Sequence, residues 1–180
     1  MQSINLFSYL KNTDLPCLSG FQAITHLLKH TYIKSLKRMQ LWELTFNTAT
    51  PDLALKELDN IINNSYYIIN PNKEAYHLEK IAKPSCSNNE VPFLIKVTSK
   101  QPSKKEQLIN KIKQKVDTNL VSIHSSLIWE IVAENNSNDI DSLKKKLQQD
   151  IIITSSRKEG VLINPLYEQA NFLDINQYYL

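Results

Sequence analysis

The chain repeats itself, and this repeat constrains its fold more than any other feature. Two phrases recur in the same order: residues 33–46 (IKSLKRMQLWELTF) resemble residues 120–133 (LVSIHSSLIWEIVA), and residues 68–81 (IINPNKEAYHLEKI) resemble residues 162–175 (LINPLYEQANFLDI). The only two tryptophans, Trp42 and Trp129, lie at equivalent positions 87 residues apart, and a glutamate follows each of them. This spacing exceeds the roughly 20–50 residues of solenoid repeats. It indicates a small domain that has been duplicated.

The repeat divides the 180-residue chain into two domains and a linker. We predict a first domain over residues 1–82, a linker over residues 83–92 and a second domain over residues 93–180. The segment around the linker, AKPSCSNNEVP, is polar, holds two prolines and has no periodicity, which is typical of a connection between domains. Each copy alone would bury little surface, so the copies are expected to pack against each other.

Within the first copy, the apolar period alternates between that of strands and that of helices. Strand-like alternation covers residues 4–10, 41–46 and 75–81, and helical periodicity covers residues 21–30 and 51–62. Residues 12–20 are predicted to form a turn. Thr50 is expected to cap the second helix, with Pro51 in its first turn. Asn70-Pro71 is expected to lie in the turn before the last strand, because proline cannot donate a ladder hydrogen bond.

The second copy repeats this order of elements. Its predicted strands include residues 93–98 and 121–132, and its predicted helices cover residues 104–115 and 139–148. The pattern predicts an α+β fold of two tandem ferredoxin-like βαββαβ domains, each an antiparallel sheet with two helices on one face. The uncovered sheet faces are expected to meet, since Trp42 and Trp129 bring large apolar area to the central strands. The chain would then form a pseudo-dimer.

The glycines and histidines give no sign of a reactive site. Gly20 and Gly160 are the only glycines, which is too few for a phosphate-binding loop. His26 and His30 have the i, i+4 spacing of metal ligands on a helix, but no partner ligand stands at a recognisable spacing. Exposed helix histidines are therefore favoured. The prediction is that this chain has no catalytic, cofactor-binding or metal-binding residue of its own.

The cysteines and the repeated glutamates were the remaining candidates for chemistry. Cys17 and Cys86 are too few for a disulfide framework or a zinc site, and neither has a recognisable base for nucleophilic catalysis. Glu43 and Glu130, which follow the tryptophans, have the residue type of a paired-carboxylate site. Their repeated place on a strand favours exposed positions or salt-bridged interface positions instead.

Composition and charge limit the class of protein and its compartment. A hydrophobic content of 42% and a charged content of 22% are ordinary for a globular chain. The net charge of +3 is small and the lysines alternate with acidic residues, whereas nucleic-acid binders usually concentrate basic residues on one face. The sequence shows neither a signal peptide nor an apolar run of about 18 residues. A cytoplasmic protein that binds no nucleic acid and no membrane is expected.

The repeated phrases resemble the PurS family, the small ferredoxin-like subunit of phosphoribosylformylglycinamidine synthase. The first copy carries the resemblance in INLFSYLKN, DLPCLSGFQAITHLLK, MQLWELTF and YYIINPNKEAYHLEKI, and the second copy carries it in LIWEIV and GVLINPLYEQANFLDI. Gly20 and Ala23 fall on the family's glycine and alanine. The second copy has PSKKEQLINKI in place of the glycine-containing turn, and it has Ser125-Ser126 in the region where the first copy keeps basic residues as Lys37-Arg38.

The resemblance implies a non-catalytic adaptor that joins the ATP-dependent synthetase subunit PurL to the glutaminase subunit PurQ. Together these subunits convert formylglycinamide ribonucleotide, glutamine and ATP to the amidine in de novo purine biosynthesis. ATP and magnesium would be used by the synthetase subunit, and this chain would bind no cofactor. Since the family pairs with itself, the tandem chain would resemble a fused dimer, and a further homo-oligomer is possible.

Two other function classes stay open at this point. Duplicated ferredoxin-like domains also form ligand-sensing regulatory modules, which bind a small molecule between the copies. Nucleic-acid binding through the sheet face is the second class, and the scattered charge argues against it. An enzyme that acts independently is the least favoured.

Overall fold

The structure is a computed structural model that describes residues 1–101, 105–136, 139–156 and 160–180. Its strands are β1 (Gln2–Leu10), β2 (Ile33–Phe46), β3 (Glu74–Leu78), β4 (Glu90–Ser99), β5 (Leu120–Glu134) and β6 (Glu168–Phe172). Its helices are α1 (Leu15–Gln22), α2 (Pro51–Ser65), α3 (Lys105–Lys113), α4 (Ile140–Leu147) and α5 (Ile175–Tyr178). Two π-helical segments, Ala23–Leu27 and Gln148–Ile152, continue α1 and α4.

All six strands belong to one antiparallel sheet with the order β3-β1-β2-β5-β4-β6. The two copies join edge to edge at its centre, where β2 pairs with β5 along its whole length. Equivalent strands lie on either side of this pair, so the sheet has a pseudo-twofold axis between β2 and β5. The α+β class is confirmed. The expectation of two sheets packed face to face is corrected, because backbone hydrogen bonds between the long central strands unite the copies in a single sheet.

Within the described residues each copy has three strands, whereas the βαββαβ pattern requires four. The difference arises in β2, which is one strand over Ile33–Phe46 and so extends the predicted strand of residues 41–46 toward the N-terminus, with a register irregularity between Ile33 and Ser35. A strand of this length pairs with β1 over its second half and with β5 throughout. Residues 66–69 form a connection and no strand, since Tyr66 ends α2 in the left-handed conformation, with φ of 58°.

Capping residues determine where the helices begin, and the cap at Asp14 places the start of the first helix before the predicted residue 21. Asp14 accepts a hydrogen bond from the Cys17 backbone N–H at 3.1 Å, so α1 begins within the segment expected to be a turn, and Gly20 lies inside the helix. Thr50 caps α2, and Pro51 opens it, as predicted. In the second copy, α3 begins at Lys105, and the predicted helical residue 104 lies outside the described residues. β4 begins inside the predicted linker.

The long helices of both copies cover one face of the sheet and form two apolar clusters with it. One cluster lies under α1, α4 and their π-helical extensions, and its fully buried members include Ile24, Ile131, Ala133, Leu147 and Ile151. The other lies under α2 and α3, and its fully buried members include Leu6, Phe46, Ala54, Ile61, Ile112 and Leu120. Each cluster contains residues of both copies, so the core that the described residues form is shared between the copies.

The opposite face of the sheet carries a smaller cluster beneath the C-terminal residues. Phe7, Met39, Leu41, Leu94 and Ile128 supply it from the strands, and Ile81 and Tyr179 cover it. The short helix α5 brings Tyr178 against Phe7, with ring centroids 5.9 Å apart. Both tryptophans lie on the helix-covered face, opposite the face on which they were expected to meet the other copy.

Candidate functional site

The first copy contains a cleft of about 590 Å³ beside the first half of β2. β1 pairs with β2 only from Gln40 onward, and it turns away after Leu10. Among the described strands, residues 33–39 of β2 therefore pair with β5 alone. The helix α1 and the end of β1 form the side walls, and residues 34–39 of β2 line the cleft.

An ion pair between Asp14 and Arg38 joins the walls of this cleft. The Arg38 Nε donates to Asp14 Oδ2 at 2.9 Å, and both side chains are mostly buried. Asp14 also caps α1, where its negative charge is favourable near the helix N-terminus. The Arg38 guanidinium lies 6.0 Å from the centre of the Trp129 ring, so the ion pair reaches the other copy.

Cys17 lies at the base of the cleft and bonds to the unpaired part of β2. Its Sγ donates to the Leu36 carbonyl at 3.1 Å, and its side chain is buried. Burial, together with the charge of Asp14, raises the pKa of the Cys17 thiol. Because the thiolate is the reactive form, this environment favours a structural cysteine over a nucleophile.

The buried carboxylate of Glu130 lines the cleft from the face of the sheet opposite to α1. Glu130 has only 2% of its side chain exposed, accepts a hydrogen bond from the Tyr179 hydroxyl at 3.0 Å, and lies 3.3 Å from the Lys37 ammonium. Burial, and then the charge of Glu130, raises the pKa of Tyr179 well above its usual range. The Lys37 side chain is 62% exposed, so the charge that this pair presents to solvent is positive.

The repeated glutamates are salt-bridged at the interface between copies, which confirms one of the two predicted alternatives. Glu43 of β2 bonds to Lys96 of β4 at 2.7 Å, while Glu130 of β5 pairs with Lys37 of β2. Each glutamate therefore reaches into the other copy. Their environments differ, because Glu43 keeps 36% of its side chain exposed and Glu130 is buried.

The corresponding part of the second copy has different chemistry. Ser125 stands where Arg38 stands in the first copy, and the Lys105 ammonium contacts Nδ1 of the exposed His124. The first half of β5, like that of β2, pairs with only one described strand. Leu120 and Ile123 of this segment are buried in the cluster beneath α2 and α3. The ion-paired cleft is thus a feature of the first copy.

Two carboxylates bind the copies together at pseudo-equivalent places. Glu57 of α2 accepts hydrogen bonds from Thr118 Oγ1, the Asn119 backbone N–H and Asn119 Nδ2, each at 2.7 Å. At the other end of the central strands, Asp150 accepts from the Tyr32 hydroxyl at 3.3 Å. We call these contacts the Glu57 clamp and the Asp150 clamp.

The prediction of exposed helix histidines is confirmed for His26, which is exposed in the π-helical segment. It is wrong for His30, which lies beyond the helix, is half-buried and stands 3.9 Å from Asp150. Across the described residues, no group of three His, Cys, Asp or Glu side chains is placed to hold a metal ion. In the same part of the chain, no helix is both long enough and apolar enough to cross a membrane.

The chain matches no protein-family model, no curated protein and no solved structure. The resemblance to the PurS family therefore stays a prediction. Sequence reasoning missed the cleft, because it depends on where β1 ends relative to β2. A signal was present in the difference between copies, since Asp14, Cys17 and Arg38 have no equivalents in the second copy.

Proposed function

We propose that this chain is a non-catalytic adaptor of phosphoribosylformylglycinamidine synthase, built as a fused pair of PurS-like, ferredoxin-related units. In this proposal it acts in the cytoplasm and bridges a PurL-type synthetase subunit and a PurQ-type glutaminase subunit. ATP, magnesium and the substrates belong to those partners.

The observation that carries the proposal is the union of two sequence-related copies through β2 and β5. The edge of each central strand would otherwise expose unpaired backbone N–H and C=O groups, which proteins usually cover. Here the linker supplies the second copy at an effective concentration in the mM range for a short connection. The result is one continuous sheet whose two ends have similar frameworks and different surfaces, which suits a bridge between two unlike subunits.

The test is reconstitution with the synthetase and glutaminase subunits of the same source. Amidine formation from glutamine should fall more than about tenfold when this chain is omitted, because the two partners lose their bridge. Amidine formation from added ammonia should change little, since ammonia bypasses the glutaminase. Equal glutamine-dependent rates with and without the chain would overturn the proposal.

A second candidate function is a ligand-sensing regulatory module, and the cleft of the first copy favours it. Its volume of about 590 Å³ falls within the range of about 300–1,000 Å³ that is usual for small-molecule sites. Calorimetry with amino acids and nucleotides checks this candidate. Saturable binding that Leu18→Asp abolishes would support it, because Leu18 lines the cleft.

A further inference from the structure

We propose that residues 33–39 of β2 accept an extended segment of another protein as an added strand. The segment would carry apolar side chains toward α1 and an acidic side chain beside Lys37. This inference rests on the proposed adaptor role in one respect only, namely that the partner is a protein subunit.

The backbone of β2 provides the first argument. The Leu36 carbonyl accepts from Cys17 Sγ, so the polar backbone groups of Leu36 point away from β5 and toward the cleft. Alternate residues of a strand point their N–H and C=O groups to the same side, which directs those of Arg38 into the cleft as well. The Cys17 thiol is a weak donor. A backbone N–H of the added strand would replace it at the Leu36 carbonyl with a stronger hydrogen bond, and further strand hydrogen bonds would form along this edge.

The shape of the cleft provides the second argument. An added strand would continue the line of β1, whose last residue that pairs with β2 is Ser8. Seven residues of a strand span about 24 Å, which matches the unpaired length of β2. The walls are apolar on the side of α1, where Leu18 is 43% exposed and Phe21 lies beside it. Side chains on alternate residues of the occupant would therefore meet an apolar surface.

Charge decides the chemistry of the other alternate positions. The carboxylates of the cleft, Asp14 and Glu130, are largely or fully buried by their partners. The ammonium group of Lys37 is more exposed and stands at the opening, whereas that of Lys34 is paired with the Glu134 carboxylate at 2.7 Å. An acidic side chain on the occupant would find a complementary charge there, and a basic one would meet repulsion.

The test uses the whole chain and capped seven-residue peptides in which valine alternates with glutamate or with lysine. The glutamate peptide should bind saturably and slow hydrogen exchange of the Leu36 and Arg38 amides about tenfold or more, because both become strand-bonded. The lysine peptide should bind at least about tenfold more weakly. Leu18→Asp should weaken binding by about tenfold, while Leu27→Asp, a matched change at an exposed residue outside the cleft, should leave it unchanged.

Two N-methylated glutamate peptides keep the test independent of the folding of any variant. One carries methyl groups on the odd amides and the other on the even amides, so each loses its hydrogen-bond donors on one edge only. One peptide should lose binding and the other should keep it. Absence of saturable binding up to about 1 mM, equal binding of the two methylated peptides, or equal effects of Leu18→Asp and Leu27→Asp would each overturn the proposal.

These outcomes are separate from those of the reconstitution experiment. Peptide binding concerns the isolated chain, so it can succeed when the purine enzyme is not the partner. Loss of glutamine-dependent activity on omission of the chain can likewise occur when the cleft binds no strand. Binding of a free amino acid or nucleotide, without protection of the Leu36 and Arg38 amides, would contradict the added strand and favour a ligand sensor.

Discussion

The turn before the last strand is the same in both copies, while the first half of the central strand is not. Asn70 and Asn164 each accept a hydrogen bond from the backbone N–H two residues on, at 3.1 Å and 3.0 Å. In both turns the proline carbonyl accepts a hydrogen bond from the lysine that directly follows β1 or β4: Lys11 donates to Pro71 at 2.7 Å, and Lys100 donates to Pro165 at 2.6 Å. The duplication has thus preserved a detailed local structure.

The central strands differ where the first copy forms its cleft. Arg38 reaches both Asp14 and Trp129, and Ser125 at the equivalent place in β5 is too short for either kind of contact. The comparison teaches that the turns and the helix-covered core maintain the fold, whereas the edge beside α1 is free to differ between copies. A bridge between unlike partners would require such a difference.

The two glycines give the largest contrast between the copies. Gly160 has φ of 70°, and an added Cβ would overlap the backbone carbonyl of Ile153, so Gly160→Ala should destabilise the protein by about 3 kcal/mol. Gly20 lies in α1, where an added Cβ would meet Leu36 Cδ2 at an ordinary 3.6 Å. Gly20→Ala should therefore stabilise by roughly 0.5–1 kcal/mol.

Urea unfolding of both variants measures these changes. A similar loss of stability in the two would show that Gly20 has a conformational role that its helical geometry does not explain. The resemblance to the PurS family draws attention to Gly20, while the backbone indicates that Gly160 is the glycine that the fold requires.

The repeated glutamates give an intermediate contrast. Glu130→Ala should cost about 2–3 kcal/mol, because it leaves the buried Tyr179 hydroxyl without its acceptor and removes the partner of Lys37. Glu43→Ala should cost less than about 1 kcal/mol, since its pair with Lys96 is partly exposed.

Tyr179→Phe is the control for this pair of variants. It removes the donor and keeps the ring, and it should cost about 1 kcal/mol because a typical hydrogen bond contributes that much. Equal losses for Glu130→Ala and Glu43→Ala in urea unfolding would show that burial of Glu130 does not govern the strength of its contacts.

The sequence was sufficient where a local rule determines the structure. Thr50 with Pro51, and each Asn-Pro pair, predict their cap or turn because neighbouring residues satisfy the backbone groups. Alternation located β1, β4, β5 and the second half of β2, because successive side chains of a strand point to opposite faces of the sheet. The repeat predicted that the copies associate. For the two glutamates the repeat predicted exposed positions or salt-bridged interface positions, and the structure shows the second.

The sequence was insufficient where distant strands determine the structure. A tryptophan side chain can be buried on either face of a sheet, so its apolar character does not predict which face it occupies. In this sheet, where β2 pairs with β5, both tryptophans lie beneath the helices. The cleft depends on Gln40 being the first β2 residue that pairs with β1, and this register has no local signal in the sequence. The cap at Asp14 was overlooked because Pro16 and Gly20 resemble turn residues in isolation.

The two clamps give the smallest contrast, and they should fail at opposite ends of the pH scale. Partial burial alone would raise the pKa of Glu57, but the hydrogen bonds from Asn119 and Thr118 outweigh it, so the pKa is lowered. Burial, followed by the charge of Asp150 and the hydrogen bond to it, raises the pKa of Tyr32 well above its usual range.

The sign of each effect follows from the state that the fold favours. Folding favours ionised Glu57, so this contribution is present above the usual glutamate pKa near 4.5 and is lost as pH falls through the lowered value. Folding favours the neutral Tyr32 phenol, so this contribution is present below about pH 10 and is lost as pH rises further.

Glu57→Gln should therefore cost about 1 kcal/mol at neutral pH and flatten the acid limb of the stability profile. Tyr32→Phe should cost a similar amount and flatten the alkaline limb. The flattening should be partial, because Tyr179, whose pKa is also raised, still contributes to this limb. Urea unfolding from pH 3 to pH 11, roughly the range in which these groups titrate, measures both limbs. If Glu57→Gln altered the alkaline limb, or Tyr32→Phe the acid limb, the two clamps would be coupled through β2 and β5. The two ends of these central strands would then not behave independently.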